Sequence, residues 1–403
     1  MLDATTAVWG MAGLLAAGLI AVGWRVRAAV RETGLDRWAA AAWMSRPAPV
    51  PDDQPLEVFV AICDHFEPEW GGCDPATALA RVREWRAAYP RLFDAFRDAR
   101  GRPPQHTFFF PQDQYRPEYL DLLKELVDAG YGDVDIHLHH HDDTPQGLRE
   151  KLSEFRDTLF HRHELLRRDP RTGHIVYGFI HGNWALCNSR RDGRWCGVDQ
   201  EIPILLETGC YADFTFPSAP SDTQPPLINR IYYAVDRPGQ RRSHEAGVDA
   251  AVGRTPPPNS LLLIQGPLAF DFTRCKWGFL PKIENGDLLA SHPPSIRRLP
   301  VWLGTGIVVR GCPNWRFIKL HTHGCKAANQ RMWLSETAQR FHADLARFQQ
   351  QHPRIRIHYV TAWEMAQLVH AAEQGIHLDA VLGPGSNPHR SRNLEPEQAP
   401  AAV

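Results

Sequence analysis

The densest group of chemically versatile side chains in the sequence is HLHHHDD, residues 137–143, which holds four histidines and two aspartates in seven positions. Imidazole and carboxylate groups are the ligands that zinc and similar divalent metals take from proteins. A run of histidines alone is compositional evidence, because such runs also occur in polar surface loops. The elements that flank the run must decide between a metal site and a loop.

A strand is predicted to lead into this run. Val134 and Ile136 have the β-branched side chains that favour strands, and Pro145 ends the pattern. Side chains alternate between the two faces of a strand. The face predicted to point towards the site carries Asp135, His137, His139 and His141.

Short apolar runs alternate with amphipathic helical patterns between residues 56 and 382. The runs that predict strands are EVFVAICD, QHTFFF, DVDIHLH, HIVYGFIHG, ADFTFP, SLLLIQGPL, RFIKLHTHG and IRIHYV. Strands that alternate with helices imply an α/β fold with a parallel sheet and helical crossovers. Polar residues follow several of these strands, at the edge where barrels of parallel strands place their chemistry. They are Asp64 and His65, His139 to Asp143, His181, and His321 to His323.

The N-terminal segment contains an uncharged stretch at residues 7–24, which is about the minimum length for a membrane span. Arginines at positions 25, 27 and 31 follow it, and by the positive-inside rule they favour the cytosol over the periplasm for the rest of the chain. The stretch therefore predicts a single-pass membrane protein. Its predicted segments are a transmembrane anchor at 1–24, a juxtamembrane helix and linker at 25–55, a catalytic domain at 56–382 and a disordered tail at 383–403.

Composition excludes two classes of protein. The formal net charge of −1 leaves no basic surface for a nucleic-acid backbone, so no nucleic-acid partner is expected. The eight cysteines include no CxxC pair, which argues against a zinc ribbon. Scattered cysteines in a chain of 403 residues favour a reducing compartment.

The block from His106 to Thr144 resembles the core of the polysaccharide deacetylase family, which are metal-dependent carbohydrate esterases. A TFF strand is followed by a helix that ends in Ala129-Gly130, and then by the strand DIHLH. The segments ETGCYADFTFPS, FIKLHTHG and IHYVTAWEMAQLV resemble later motifs in the family's order. The resemblance covers residues 56–370 and implies a distorted parallel (β/α) barrel of seven strands. It also implies a bound divalent metal, with zinc as the first choice.

The family's spacing places a second metal histidine four residues after the first, and two registers of the run fit it. The register favoured by the strand alignment pairs His139 with Asp143, so that a carboxylate replaces the second imidazole. The other register pairs His137 with His141 and keeps both imidazoles.

The family's first motif is an Asp-Asp pair after an apolar strand, in which one aspartate is the base and the other a metal ligand. Here the strand VFVAIC ends in Asp64 and His65. Matched position by position, Asp64 would be the catalytic base and His65 a metal ligand. In the alternative, Asp64 binds the metal and Glu67 supplies the base, since carboxylates serve in either role.

The last motif and the substrate groove are assigned in the same way. His321 in KLHTHG matches the position of the family's general acid. The segment YGFIHGNWALCNS lies where the family has a groove motif with an arginine, which is absent here. The side chains predicted to contact substrate are Glu67, His181, Asn183, Trp184, which would stack on a sugar, and His323.

The resemblance implies a hydrolase that removes acetyl groups from an acetylated polysaccharide or glycolipid of the cell envelope. Asp64 would take a proton from the attacking water, and His321 would protonate the leaving group. Two alternatives stay open. A glycoside hydrolase on a related barrel would need two carboxylates, for which Glu67 and Asp213 are the available pair. A glycan-binding or scaffold protein would keep the fold without catalysis.

Overall fold

The computed structural model describes residues 4–45, 47, 49–50 and 54–383. Apart from Gly383, the predicted disordered tail lies outside the described residues, as do positions 46, 48 and 51–53 of the predicted linker.

Thirteen strands form in the described part of the chain, and all eight runs predicted to be strands are among them. They are β1 Leu56–His65, β2 His106–Pro111, β3 Gly132–Leu138, β4 Arg167–Arg168, β5 Ile175–His181, β6 Cys210–Asp213, β7 Ile231–Val235, β8 Val248–Asp249, β9 Ser260–Ile264, β10 Ala269–Lys276, β11 Leu280–Glu284, β12 Trp315–Thr322 and β13 Ile355–Tyr359.

The helices alternate with these strands as the sequence predicts. They are α1 Ala4–Glu32, α2 Leu35–Met44, α3 Pro75–Phe93, α4 Pro117–Asp128, α5 Pro145–Asp157, α6 Glu201–Thr208, α7 Leu299–Gly304, α8 Ala327–Trp333, α9 Glu336–Gln351, α10 Ala362–Gln374 and α11 Asp379–Leu382.

Eleven strands form one mostly parallel sheet, which confirms the α/β class. Its order is β12-β1-β2-β3-β5-β6-β9-β7-β8, with β13 paired to β1 and β4 paired to β5. The β7 strand runs antiparallel to both β8 and β9. The hairpin of β10 and β11 forms a separate two-stranded sheet. Strands β1, β2, β3 and β5 lie side by side and parallel, so their carboxyl ends share one edge.

The sheet separates two apolar cores, because alternate residues of each strand enter different cores. On β1, Val58 and Ile62 pack with residues of α3 and α4 in one core. Phe59 and Ala61 pack in the other core, against apolar residues of β2, β5 and β12 and of α10. We call the second side of the sheet the inner face. His65 has the same parity as Phe59 and Ala61, and therefore points to the inner face.

The turn between α4 and β3 explains how the histidine-bearing strand is positioned. Gly130 adopts a left-handed conformation with φ of 83°, which glycine tolerates without strain. Its N–H donates to Val127 O, and the Tyr131 N–H donates to Leu126 O. This pair of bonds is the Schellman motif, which ends a helix and reverses the chain. The helix end predicted at Gly130 is thus confirmed.

The predicted seven-stranded barrel is not confirmed. The hydrogen-bonded order has β12 at one end and β8 at the other, and no ladder between described strands joins these ends. The sequence pattern missed β4, β7 and β8, which add antiparallel pairs and bring the strand number of the sheet to eleven. A mixed sheet of this kind is common in α/β proteins.

The prediction of a membrane anchor and of single-pass localisation is wrong. Within the described residues, no helix combines the length and the apolar character that a membrane crossing requires. The predicted span lies in α1, whose sequence is rich in alanine and glycine, and these small residues contribute little apolar area. Without a spanning helix among the described residues, the arginines at positions 25, 27 and 31 indicate no membrane side.

Candidate metal centre

Three strands bring histidines together on the inner face. His65 ends β1, His137 lies in β3 and His321 lies in β12, while His139 and His323 follow directly after β3 and β12. The His65 ring centroid lies 4.8 Å from that of His137 and 4.7 Å from that of His323. The ring of His321 is farther, with its centroid 6.2 Å from that of His65.

Glu67 is the carboxylate in the middle of these rings. His323 Nδ1 donates to Glu67 Oε2 over 2.8 Å, and His139 Nε2 lies 3.2 Å from Glu67 Oε1. His137 Nε2 lies 4.0 Å from the same oxygen. We call the set of Glu67, His137, His139 and His323 the Glu67 centre.

His139 is held in place from two further sides. Its Nδ1 donates to Asp113 Oδ1 over 3.0 Å, from the short turn after β2. A Cβ atom at Gly182 would lie 2.3 Å from Cδ2 of His139, so only glycine at that position leaves room for the ring. Asp113 thus orients the imidazole, and Gly182 permits its approach to Glu67.

The charges of the centre follow from burial and hydrogen bonding. Burial would raise the pKa of Glu67, but hydrogen bonds with His139 and His323 outweigh it and lower that pKa to about 2. Burial would lower the pKa of His139, but its bonds to Asp113 and Glu67 raise that pKa to about 9. Burial and the nearby charge of His139 lower the pKa of His137 to about 3. The protein alone therefore holds an ionised Glu67 beside a protonated His139 and a neutral His137.

The donor atoms of the centre fit a divalent metal. Ligand atoms of Glu67, His137 and His139 all lie within 4.8 Å of one another. Both ring nitrogens of His137 are buried with no hydrogen-bond partner among the described residues, and so are both of His65. Buried polar atoms without partners are uncommon in folded proteins, and here their lone pairs are available to a cation. Two imidazoles with one carboxylate form a ligand set used by catalytic zinc sites.

Two tryptophans border the centre. The Trp184 ring centroid lies 5.7 Å from that of His65 and 6.0 Å from that of His323. The Trp70 ring lies 5.0 Å from His323 on another side. Trp184 has a positive φ of 55°, which is unfavourable for a bulky residue. Strained residues of this kind cluster at functional sites.

Asp64 is turned away from the Glu67 centre. It precedes His65 in β1 and therefore points to the opposite face. Its Oδ1 accepts from the Gly324 N–H over 2.6 Å, and its Oδ2 lies 2.8 Å from His106 Nε2. The side chain is fully buried, and both of its oxygens are paired on that face. This placement gives no support to Asp64 as the catalytic base or as a metal ligand.

The structure supports neither of the two predicted registers within the histidine run. His137 and His139 share the inner face and meet at Glu67, whereas Asp143 bonds to His140 Nδ1 over 3.1 Å and to Lys151 over 2.8 Å. His141 is exposed and accepts from the backbone N–H of Trp195 over 2.8 Å. The chain leaves strand geometry after Leu138, so the alternation that was extended to His141 no longer applies.

A second group of potential ligands lies beside the first. His140, His181, Cys196 and Glu201 are all buried, and one ligand atom from each lies within 4.8 Å of the others. We call this set the His140 cluster. His181 was predicted to contact substrate, but it is buried here on the side of β5 opposite to inner-face Ile180. Asn183 donates its backbone N–H to His181 Nδ1 over 3.2 Å, while Trp184 reaches the Glu67 centre.

The remaining predicted site residues are placed as follows. His321 is buried near the Glu67 centre, and burial together with the charge of Lys319 lowers its pKa to about 3, so its ring is neutral at physiological pH. Asp213 is buried and bound by Thr215, through the N–H over 3.1 Å and the hydroxyl over 2.7 Å. Asp213 therefore has its own partner, and the contacts of Glu67 are with histidines.

Sequence reasoning missed Asp113, Cys196 and Glu201, and it gave His140 no role of its own. Asp113 lies two positions after the end of β2, and its place behind a neighbouring strand was a usable signal. Cys196 and Glu201 lie more than 50 positions after His140, in a segment without strand or metal-motif spacing, and no local pattern marks them.

Comparison with solved structures finds several similar chains, among them one distant match. No family model matches the chain, and no curated protein is similar to it in sequence. A crystal structure from Mycobacterium smegmatis, named "putative polysaccharide deacetylase", aligns with 12% identity and a TM-score of 0.41. The alignment covers 83% of this chain and 97% of that one. Likeness at this level carries no argument about activity, so the function must be inferred from the geometry of the Glu67 centre.

Proposed function

We propose that this protein is a metal-dependent hydrolase that removes acyl groups from carbohydrate, with the Glu67 centre as its active site. The observation that carries the proposal is the convergence of Glu67, His137 and His139 at the strand ends, with both nitrogens of His137 lacking hydrogen-bond partners among the described residues. The sequence resemblance to polysaccharide deacetylases supports the acetyl group as the group removed. The tryptophans beside His323 support a sugar as its carrier, because aromatic side chains offer flat apolar surfaces.

Glu67, His137 and His139 would hold a divalent metal, with zinc as the first choice for two imidazoles and one carboxylate. When bound, such a metal lowers the pKa of a coordinated water and polarises the acyl carbonyl. Asp113 accepts the Nδ1 proton of His139, so the other nitrogen of that ring faces the centre.

The neighbouring imidazoles are placed to move protons. His65 is neutral, because burial and then the charge of His323 hold its pKa well below the ordinary value, and its ring contacts those of His137 and His323. We assign His65 as the acceptor of the proton from the attacking water. His323 lies between Trp70 and Trp184, where a sugar would bind, and we assign it as the donor to the leaving oxygen or nitrogen.

The test combines metal analysis with acetate release from acetylated oligosaccharides. Glu67→Gln should lose one metal ion per chain, the one held at the Glu67 centre, together with the acetate release, because the amide lacks the negative charge of the ligand. Glu69→Gln is the matched control, since Glu69 lies two positions along the chain and pairs with Arg116 outside the centre. Stoichiometric metal at the centre without acetate release would overturn the proposed reaction, and undiminished acetate release by Glu67→Gln would overturn the proposed site.

A further inference from the structure

The His140 cluster has no part in the proposed reaction and needs its own explanation. Its four side chains come from separate places along the chain: His140 follows β3, His181 ends β5, Cys196 lies in the connection after β5, and Glu201 begins α6. All four are buried. Folding has therefore removed two imidazoles, a thiol and a carboxylate from water at one point, which is unfavourable unless their polar atoms pair with one another or with a shared ion.

The distances within the cluster suit coordination around one ion. His140 Nε2 lies 2.9 Å from His181 Nε2 and 3.0 Å from Glu201 Oε1. His181 Nε2 lies 3.6 Å from the same carboxylate oxygen. Ligand atoms around a tetrahedral zinc ion are about 3.3 Å apart, given zinc–nitrogen bonds of about 2.0 Å. Three measured separations therefore bracket the value that a tetrahedral site requires.

Groups outside the cluster direct its atoms inward. Asp143 accepts from His140 Nδ1 over 3.1 Å and is itself held by Lys151 over 2.8 Å. With the proton of His140 on Nδ1, the lone pair of Nε2 points into the cluster. Glu201 Oε2 accepts the backbone N–H of Cys187, which leaves Oε1 for the cluster. A carboxylate behind a ligating histidine is the usual outer support of metal sites.

We propose that His140, His181, Cys196 and Glu201 bind a structural zinc ion, separate from the Glu67 centre. Four protein ligands of this kind close the coordination shell, and a closed shell is typical of structural sites, whereas catalytic sites keep an open position. The proposal does not rest on the proposed function. The ion would join the ends of β3 and β5 to α6. Its ligand His181 lies three positions before Trp184 in the chain.

The contact between Asn183 and His181 should differ between a metal site and a network of hydrogen bonds without metal. The N–H of Asn183 points to His181 Nδ1 over 3.2 Å, which in a metal-free network puts the ring proton on Nε2. Ligation through Nε2 moves that proton to Nδ1, so the contact with Asn183 must lengthen when the ion binds. The two states therefore differ in the tautomer of His181, and only one of them contains a thiolate ligand.

Cobalt substitution of the full-length protein tests the proposal. Co²⁺ bound by a thiolate has a charge-transfer absorption in the near ultraviolet, and a site formed by imidazole and carboxylate alone does not. We expect the absorption to grow with added Co²⁺ and to saturate. In Glu67→Gln, which lacks the other metal site, it should saturate at one cobalt per chain. Zinc added afterwards should remove it. Absence of the absorption in the wild-type protein would overturn the proposal.

Two variants locate the thiolate. Cys196→Ser should abolish the absorption, whereas Cys210→Ser should retain it. Cys210 is a matched control, because it is also buried and its Sγ bonds to the carbonyl two residues ahead over 3.3 Å, just as Cys196 bonds to Val198 O over 3.3 Å. Glu67→Gln should keep the absorption in full. Absorption that survives in Cys196→Ser, or that is lost in Glu67→Gln, would place the cobalt elsewhere and overturn the assignment. If Cys196→Ser does not fold, Asp143→Asn locates the site instead, because it should weaken cobalt binding only where His140 is a ligand.

Discussion

The Glu67 centre and the His140 cluster draw on the same run of histidines, and they differ in what surrounds each ring. His137 and His139 point to the inner face, where nitrogens of His137 and His65 have no hydrogen-bond partner among the described residues and two tryptophans form a border. His140 points elsewhere and is surrounded by three buried ligands and a supporting aspartate. The comparison indicates that adjacent histidines can serve an open reactive centre and a closed structural site.

The largest effect expected is on activity, and it separates the two regions. His137→Ala should lower acetate release by about 1,000-fold or more, which corresponds to about 4 kcal/mol of transition-state stabilisation. The variant should remain folded, because the ring makes no hydrogen bond that the fold needs. His141→Ala is the control, because His141 is exposed and outside the centre. Equal losses in both variants would contradict the assignment of the inner face.

The next effect concerns stability and belongs to the other region. Glu201→Ala should lower the free energy of unfolding by about 3–5 kcal/mol, because it removes the carboxylate that faces Nε2 of the buried His140. Denaturant unfolding of the wild type and the variant measures the difference. A chelator should destabilise the wild type and have little effect on the variant. A loss below 1 kcal/mol, on the order of a surface pair, would show that the cluster is not a structural site.

An intermediate effect is expected from the residue that orients His139. Asp113→Asn should reduce activity by about 10–100-fold, as is usual for the outer support of a metal ligand. Asp143→Asn should leave activity nearly unchanged and weaken cobalt binding at the His140 cluster by a similar factor, since Asp143 supports His140. Steady-state kinetics of both variants should show the loss of activity in Asp113→Asn only, and cobalt titration should show the weaker binding in Asp143→Asn only. The comparison fails if both variants lose the same property.

A smaller effect is expected at Asp64, where sequence and structure disagree. Asp64→Asn should lower the free energy of unfolding by about 1–3 kcal/mol, because it weakens the buried bonds to Gly324 and His106. The kcat/KM of the folded variant should stay within about twofold of the wild type, given that the side chain points away from the centre. A loss of about 100-fold or more, typical of a general base, would restore Asp64 to that role.

The smallest effect is the pH dependence of the metal-free protein. The pKa of His139 is raised from 6.5 to about 9, so its contribution to stability is complete below pH 6.5 and is lost as the pH rises through 9. The pKa of Glu67 is lowered from 4.5 to about 2, so its contribution is complete above pH 4.5 and is lost as the pH falls through 2. With metal removed by a chelator, the wild type should have a higher unfolding midpoint than Glu67→Gln. The difference between the two midpoints should be largest between pH 4.5 and 6.5. A difference that is constant across pH would contradict this coupling.

Much of the fold could be predicted from the sequence, because its signals are local. Alternating apolar residues marked eight strands, and the helix end at Gly130 followed from the residue type that a left-handed turn requires. The alternation within β3 also placed His137 and His139 together on one face. The antiparallel strands β7 and β8 were missed. β8 has only two residues, whereas β7 is as long as β9 and is followed by the turn signal Pro238-Gly239, so its apolar run was a usable signal.

The composition of the sites was decided by tertiary structure. Glu67 and His323 are 256 positions apart, and only the pairing of β1 with β12 brings them within hydrogen-bond distance. Successive side chains of β1 point to opposite faces of the sheet, so Asp64 and His65 lie on different sides. The family motif, in contrast, predicts both residues in one site. His140 joined Cys196 and Glu201 because the chain leaves strand geometry after Leu138. The sequence by itself determined which residues face the same side of a strand, and the order and register of the strands decided which of those residues meet.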